Sequence, residues 1–194
     1  MHESLTQLQQ LSTAIHPLSA TEWDAFAAIW KPFTAKRKTV LTVAGETEKY
    51  LYFIAEGVQR MYYFDEQDRE ATILFTYAPS FGGVLDAGLL QQPSRYFYET
   101  LTPSLFLRAP YTELQPLMRR HIGIEILIRQ GLTIALSGVL ERLVELQCFS
   151  SEEKFKTLLR RSPHILGFVP HKYIANYLGM DATNFSKLLN SIRI

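Results

Sequence analysis

Cysteine is nearly absent. Cys148 is the only one in 194 residues, which excludes an internal disulfide and an iron–sulfur cluster held by the cysteines of one chain. Long apolar runs are broken by charge, so no segment is expected to span a bilayer. The N-terminus lacks the basic-then-apolar pattern of a signal peptide. These absences point to the cytoplasm and away from a membrane. The five histidines, His2, His16, His121, His164 and His171, all lie outside the stretch that reads as β-structure, which argues against a cupin-type metal site. There is no Gly-x-Ser-x-Gly, no P-loop and no dinucleotide glycine fingerprint. The chain is therefore expected not to be an enzyme and to hold no metal.

Its length suits one large domain or two small ones, and its apolar and charged content is near average for a folded protein. The net charge of +1 hides an asymmetry. From Ser151 onward seven basic residues stand against three acidic ones, a balance of +4, which leaves −3 for residues 1–150. A basic C-terminal module on an acidic body suits a polyanionic partner.

Hydrophobic periodicity changes twice along the chain. Residues 3–14 read as a short helix that ends before Pro17. Ser19 and Glu22 form a capping box for a second helix, whose stripe is Trp23, Phe26, Ala27 and Trp30, and Lys31-Pro32 ends it. The runs 39–43, 50–54, 58–64, 72–77, 95–100 and 104–108 are β-branched and aromatic and are separated by turn signals, as in a sandwich, barrel or roll. From Tyr111 to about Phe149 the pattern is helical again, with a break near His121-Ile122-Gly123. The long part, roughly 124–146, would extend about 35 Å. It is apolar on more than one face, with Ile126, Ile128, Ile134, Leu136, Val139 and Leu143 among its residues. One face can cover the β module and another can meet the same helix of a second subunit, with Gly131, Ala135 and Gly138 permitting close approach. Burial within a monomer is the alternative. Ser150 or Ser151 starts a further helix with Glu152 and Glu153 in its first turn, ending at Ser162-Pro163.

The stretch 169–190 reads as two short helices around a tight turn. Ile174, Ala175 and Leu178 recur at helical spacing. Gly179 stops the first helix, and Asp181 or Thr183 can cap the second. Phe185, Leu188 and Leu189 give the second helix an apolar face, while its other side carries Thr183, Asn184, Ser186, Lys187 and Asn190. A small residue at the helix contact, a glycine four residues later and an aromatic packing back are the requirements of a helix-turn-helix, whose polar face can enter a major groove. An ordinary helical hairpin has similar spacing.

The order helix, β-roll, long helix, helix, helix-turn-helix resembles the Crp/Fnr family of bacterial transcription regulators, in particular a short wingless type. The resemblance covers nearly the whole chain. It rests on residues 40–46 and 50–60, Phe81-Gly82, Glu141-Arg142-Leu143 with 149–154, and 169–175. It implies an α+β fold: N-terminal helices and a cyclic-nucleotide-binding-like antiparallel β-roll (1–116), a dimerisation helix region (117–149) and an all-α helix-turn-helix domain (150–194). Double-stranded DNA would be the partner and a homodimer through the long helix the working form. Thr183, Asn184, Ser186, Lys187 and Asn190 would contact bases and phosphates, Thr183 and Asn184 being placed for base edges. His171, Lys172 and Arg193 would contact the backbone.

In the family's cyclic-nucleotide binders a Phe-Gly-Glu, a short helix and Pro-Arg-Ala-Ala/Ser-Thr hold the ribose and the cyclic phosphate. Here Gly83 stands in place of the glutamate, Arg95 is displaced by one relative to Pro93, and Tyr96 and Phe97 replace small residues. A ribose hydroxyl left without its carboxylate costs roughly 1–3 kcal/mol. Cyclic AMP is therefore not expected as the effector and no cofactor is expected. Gly82, Gly83, Asp86, Arg95, Tyr96, Tyr98 and Tyr62 are the candidates for a pocket for another small molecule, and Asp86 could replace the glutamate only in a reshaped loop. Two alternatives stay open: a regulator that does bind cyclic AMP or a related ligand through such a loop, and a dimeric sensor or scaffold that does not bind DNA, since Lys187 is the only cation on the recognition helix. Arg60 reads as a surface or sheet residue.

Overall fold

The computed structural model describes residues 2–191. The chain opens with α1 (His2–Ile15) and α2 (Ala20–Ala28). The capping box at α2 is present: the Ser19 and Glu22 side chains each accept from the other residue's backbone N–H. The strands are β1 (Lys31–Ala35), β2 (Val40–Thr42), β3 (Tyr50–Glu56), β4 (Val58–Phe64), β5 (Glu70–Tyr77), β6 (Ser80–Gly82), β7 (Phe97–Thr100) and β8 (Ser104–Pro110), with α3 (Leu85–Leu90) between β6 and β7. They pair antiparallel in two four-stranded sheets, in the orders β1-β8-β3-β6 and β2-β7-β4-β5.

The alternation of side chains along a strand explains the apolar run in β3. Leu51, Phe53 and Ala55 face the helices, where they join Leu8, Phe26, Trp30, Leu114, Ile124 and Leu127 in one core. Tyr52 and Ile54 face the inside of the roll, with Val84, Tyr98 and Phe106. Both faces of this strand are buried, so it carries no polar alternation. The helix expected to reach Trp30 stops at Ala28, and Lys31–Ala35 is a strand instead. Pro32 is tolerated because β1 is an edge strand, where a missing N–H leaves no ladder bond unmade.

After the roll come α4 (Tyr111–Arg120) and α5 (Ile122–Cys148), separated where His121 takes an extended conformation. The side chain of His121 caps nothing. The Gly123 N–H donates instead to Glu22 Oε1 at 2.8 Å, so a carboxylate from α2 serves the start of α5. Four helices finish the described chain: α6 (Ser151–Arg161), α7 (Ile165–Phe168), α8 (His171–Tyr177) and α9 (Ala182–Ser191). Ser150 caps α6 in a second capping box, with Glu153. Phe155, Leu158, Ile165, Ile174, Leu178 and Phe185 form the core of this unit, and Val58 and Leu101 of the roll pack into it.

One expectation is corrected by α5. The helix is long and apolar enough, by length and composition, to cross a membrane. Its charges sit toward the ends, at Glu125 and Arg129 and again from Glu141, which leaves residues 130–140 uncharged. Ile124, Leu127 and Ile128 are buried under the roll, whereas Ile134, Leu136, Val139, Leu140, Leu143 and Val144 are exposed in the single chain.

Candidate functional site

The C-terminal unit has the geometry that its sequence implies. Gly179 adopts φ +66°, a conformation open to glycine at little cost, and turns the chain between α8 and α9. Asp181 is the cap of the second helix: its Oδ1 accepts from the Asn184 N–H at 2.8 Å. Phe185 is buried, edge-on to Phe155 at 5.4 Å and near the His171 ring at 5.6 Å. With Phe185 turned inward, Thr183, Asn184, Ser186, Lys187 and Asn190 are all exposed along α9. His171 and Lys172 are exposed at the start of α8. Arg193 lies outside the described residues.

The other side of α8 is fastened to the roll. β5 is the edge of its sheet, and an edge strand leaves backbone groups without a ladder partner. Asn176 meets two of them: its Oδ1 accepts from the Thr72 N–H at 2.5 Å, and its Nδ2 donates to the Glu70 carbonyl at 2.7 Å. The side chain thus stands in for a further strand. Tyr173 lies over the Arg60 guanidinium at 3.7 Å, with Tyr62 at 3.9 Å from the same group. Arg60 is a sheet residue but not a surface one. It is buried and ion-paired to Glu99 at 2.5 Å and Glu70 at 2.7 Å, so its charge is compensated where solvent is excluded. Tyr177 packs on Phe75 and takes the Arg142 guanidinium of α5 over its ring at 3.7 Å. Tyr77 of β5 shares a hydrogen bond with Ser162 at 2.5 Å. Roll, long helix and helix-turn-helix therefore meet at one surface of α8. Tyr173, Asn176 and Tyr177 stand at i, i+3 and i+4, the spacing of one helix face; that spacing was the available signal for a contact the sequence reading missed.

The stretch expected as the counterpart of a phosphate cassette turns at Gly83 between β6 and α3. Gly83 has φ +110°, where an L side chain is strained. A Cβ built there would lie 3.5 Å from Glu48 Oε2, so the carboxylate in this space comes from Glu48. That carboxylate accepts from the Thr42 hydroxyl, from the Tyr50 N–H at 3.1 Å and from the Val84 N–H at 3.3 Å. Burial pushes its pKa up, against the pull of those hydrogen bonds. Glu48 sits in a polar turn and nothing in the sequence marks it.

Tyr98 is fully buried, with its hydroxyl against Gly82 and 2.8 Å from the Thr76 hydroxyl. The other expected pocket residues have separate surroundings. Asp86 and Arg95 are exposed, and neither side chain takes part in a hydrogen bond or ion pair among the described residues. Tyr96 is partly buried against the interior of the roll. Tyr62 stacks on Phe97 at 5.1 Å, beside Arg60.

An antiparallel roll of cyclic-nucleotide-binding type, a long helix and a C-terminal helix-turn-helix define one class of protein. The chain has the fold of the Crp/Fnr regulators. No protein-family model matches it. The chain is 23% identical over 205 residues to the global nitrogen regulator of Synechocystis sp., an alignment that covers 100% of this chain and 89% of that protein. FixK2 from Bradyrhizobium japonicum superposes with a TM-score of 0.75 at 14% identity, covering 84% of each chain. A transcriptional regulator from Eubacterium rectale assigned to the Crp/Fnr family gives 0.72 at 15% identity, over 90% of this chain and 83% of the other.

Proposed function

We propose that this chain is a homodimeric DNA-binding transcription regulator of the cytoplasm, whose roll does not take cyclic AMP as its effector. The observation that carries the proposal is α9: a helix anchored by buried Phe185 that presents Thr183, Asn184, Ser186, Lys187 and Asn190 to solvent on one face. Short polar side chains near the N-terminus of such a helix suit base edges in a major groove, and Lys187 suits a phosphate. Two such helices, held near one DNA turn apart (roughly 34 Å), read a two-fold site. The exposed apolar residues Leu136, Val139, Leu140, Leu143 and Val144 of α5 support pairing with a second copy.

Against cyclic AMP stand Gly83, the hydrogen bonds already made by the Glu48 carboxylate and the ring of Tyr98, buried inside the roll. Any signal that reaches the roll has a direct route to α8 through Arg60, Glu70 and Asn176.

The test is fluorescence anisotropy of the purified protein with random duplex DNA at two salt concentrations, with and without cyclic AMP. The expected result is binding that weakens with salt, is unchanged by the nucleotide, and loses about one phosphate contact from its salt slope in Lys187→Glu. Absence of binding in both conditions would favour a dimeric sensor or scaffold. A gain with cyclic AMP would overturn the account of the cassette.

A further inference from the structure

Beneath α5 lies a hollow of about 340 Å³, which falls within the roughly 300–1,000 Å³ of small-molecule sites. Elements of the same chain form its floor and walls, and it opens to solvent beside the exposed Ile134 and Ala135 of α5. α1 contributes Leu11, α3 contributes Leu89, α5 contributes Ile128 and Gly131, and Leu51 and Phe81 of the sheet form the floor. No charged side chain lines it, and its only hydroxyls belong to Ser80 and Tyr111. The Ser80 hydroxyl is already donated to the Tyr77 carbonyl at 2.6 Å. The Tyr111 hydroxyl is buried and has no partner among the described residues. Gly131 accounts for part of the space, since a Cβ built there meets nothing within 4 Å. Well-packed interiors hold few voids larger than a water molecule, and an apolar hollow tends to stay dry and to accept apolar guests.

We infer that this hollow binds a small uncharged apolar molecule, aliphatic or aromatic. The absence of charge in the wall sets the ligand class, because an ionised group entering there would lose its hydration with no partner. A helix of a second copy laid on the exposed face of α5 would meet Leu136, Val139, Leu140 and Leu143 and reach the hollow only at its mouth, beside Ile134 and Ala135; the floor lies further in, at Leu51 and Phe81. Phe81, Leu85 and Leu89 of the cassette stretch form part of its wall, while Glu48 and Tyr98 take no part in it. A bound molecule would touch α3, the sheet and α5 together. The binding itself does not depend on the DNA-binding reading.

The test uses the full chain and the uncharged fluorophore N-phenyl-1-naphthylamine, with no DNA present. Wild type is expected to enhance its emission saturably, with one probe per chain. Gly131→Phe, which fills the hollow from a position with open space, is expected to weaken binding at least tenfold while retaining the wild-type thermal transition. Ala135→Phe, from the same wall, serves if the first variant does not fold. Phe64→Ser, at an exposed apolar residue of β4 outside the hollow, is expected to bind as wild type does. The inference is overturned if wild type binds no probe, if the filling variants bind it unchanged, or if Phe64→Ser loses it.

Discussion

Replacing Asn176 by alanine removes both hydrogen bonds by which α8 closes the edge of β5. The Thr72 N–H loses its acceptor at 2.5 Å and the Glu70 carbonyl loses its donor at 2.7 Å. Each bond is worth about 1 kcal/mol net, and a part-buried N–H left unpaired adds to the loss, for a total of about 2–3 kcal/mol. At 1.4 kcal/mol per tenfold, that is a shift of about 30- to 150-fold toward release of α8 from the roll. The effect is local, because Phe155, Ile174 and Phe185 still hold the helix-turn-helix together, and β4 still pairs with β7 within the sheet. Native-state amide exchange measured by NMR reads it directly. The Thr72 amide should lose protection by that factor, while amides of the central strands β4 and β7 keep theirs. Unchanged protection at Thr72 would refute the role assigned to Asn176, and an equal loss across the sheet would show that the contact supports the whole fold rather than fastening one helix to it.

Other substitutions probe the remaining joints. Hydrogen bonds from Ser19 and then Gly123 hold the Glu22 carboxyl below its ordinary value of 4.5. The native state therefore binds that proton less readily than the unfolded chain does. The contribution is present above about pH 4.5 and is lost as pH falls through the folded value, so Glu22→Gln should narrow the stability difference between pH 7 and pH 3 in urea melts. Phe185→Ala empties a buried aromatic site and should cost about 3–5 kcal/mol by the same melts, with the loss largest in the C-terminal unit. Leu140→Glu places like charges at the proposed two-fold contact of α5, and sedimentation should then report a monomer where wild type gives a dimer.

Much of the architecture was legible along the chain because it rests on local rules. Ser19 with Glu22, and Ser150 with Glu153, are reciprocal caps between residues three apart. Gly179 turns the chain through its own backbone freedom. The face of α9 follows from helical spacing around Phe185. Strand β1 escaped because Lys31-Pro32 reads as a stop, and only a place at the edge of a sheet makes that proline acceptable. The long helix is apolar on more than one face, and the single chain buries one of them.

What the sequence determined by itself is the succession of helix, roll, long helix and helix-turn-helix, together with the polar face of α9 and the glycine at position 83. These follow from residue type and spacing over a few turns. Only the tertiary structure decided that Glu48 supplies a carboxylate beside Gly83, that Arg60 is buried between two acids and two tyrosines, that Asn176 completes the edge of β5, and that an apolar hollow lies beneath α5. Each of these draws in at least one residue more than thirty positions away, or is a space that no single residue encodes. Pairings across such separations are set by how sheets and helices pack, which periodicity along the chain does not record.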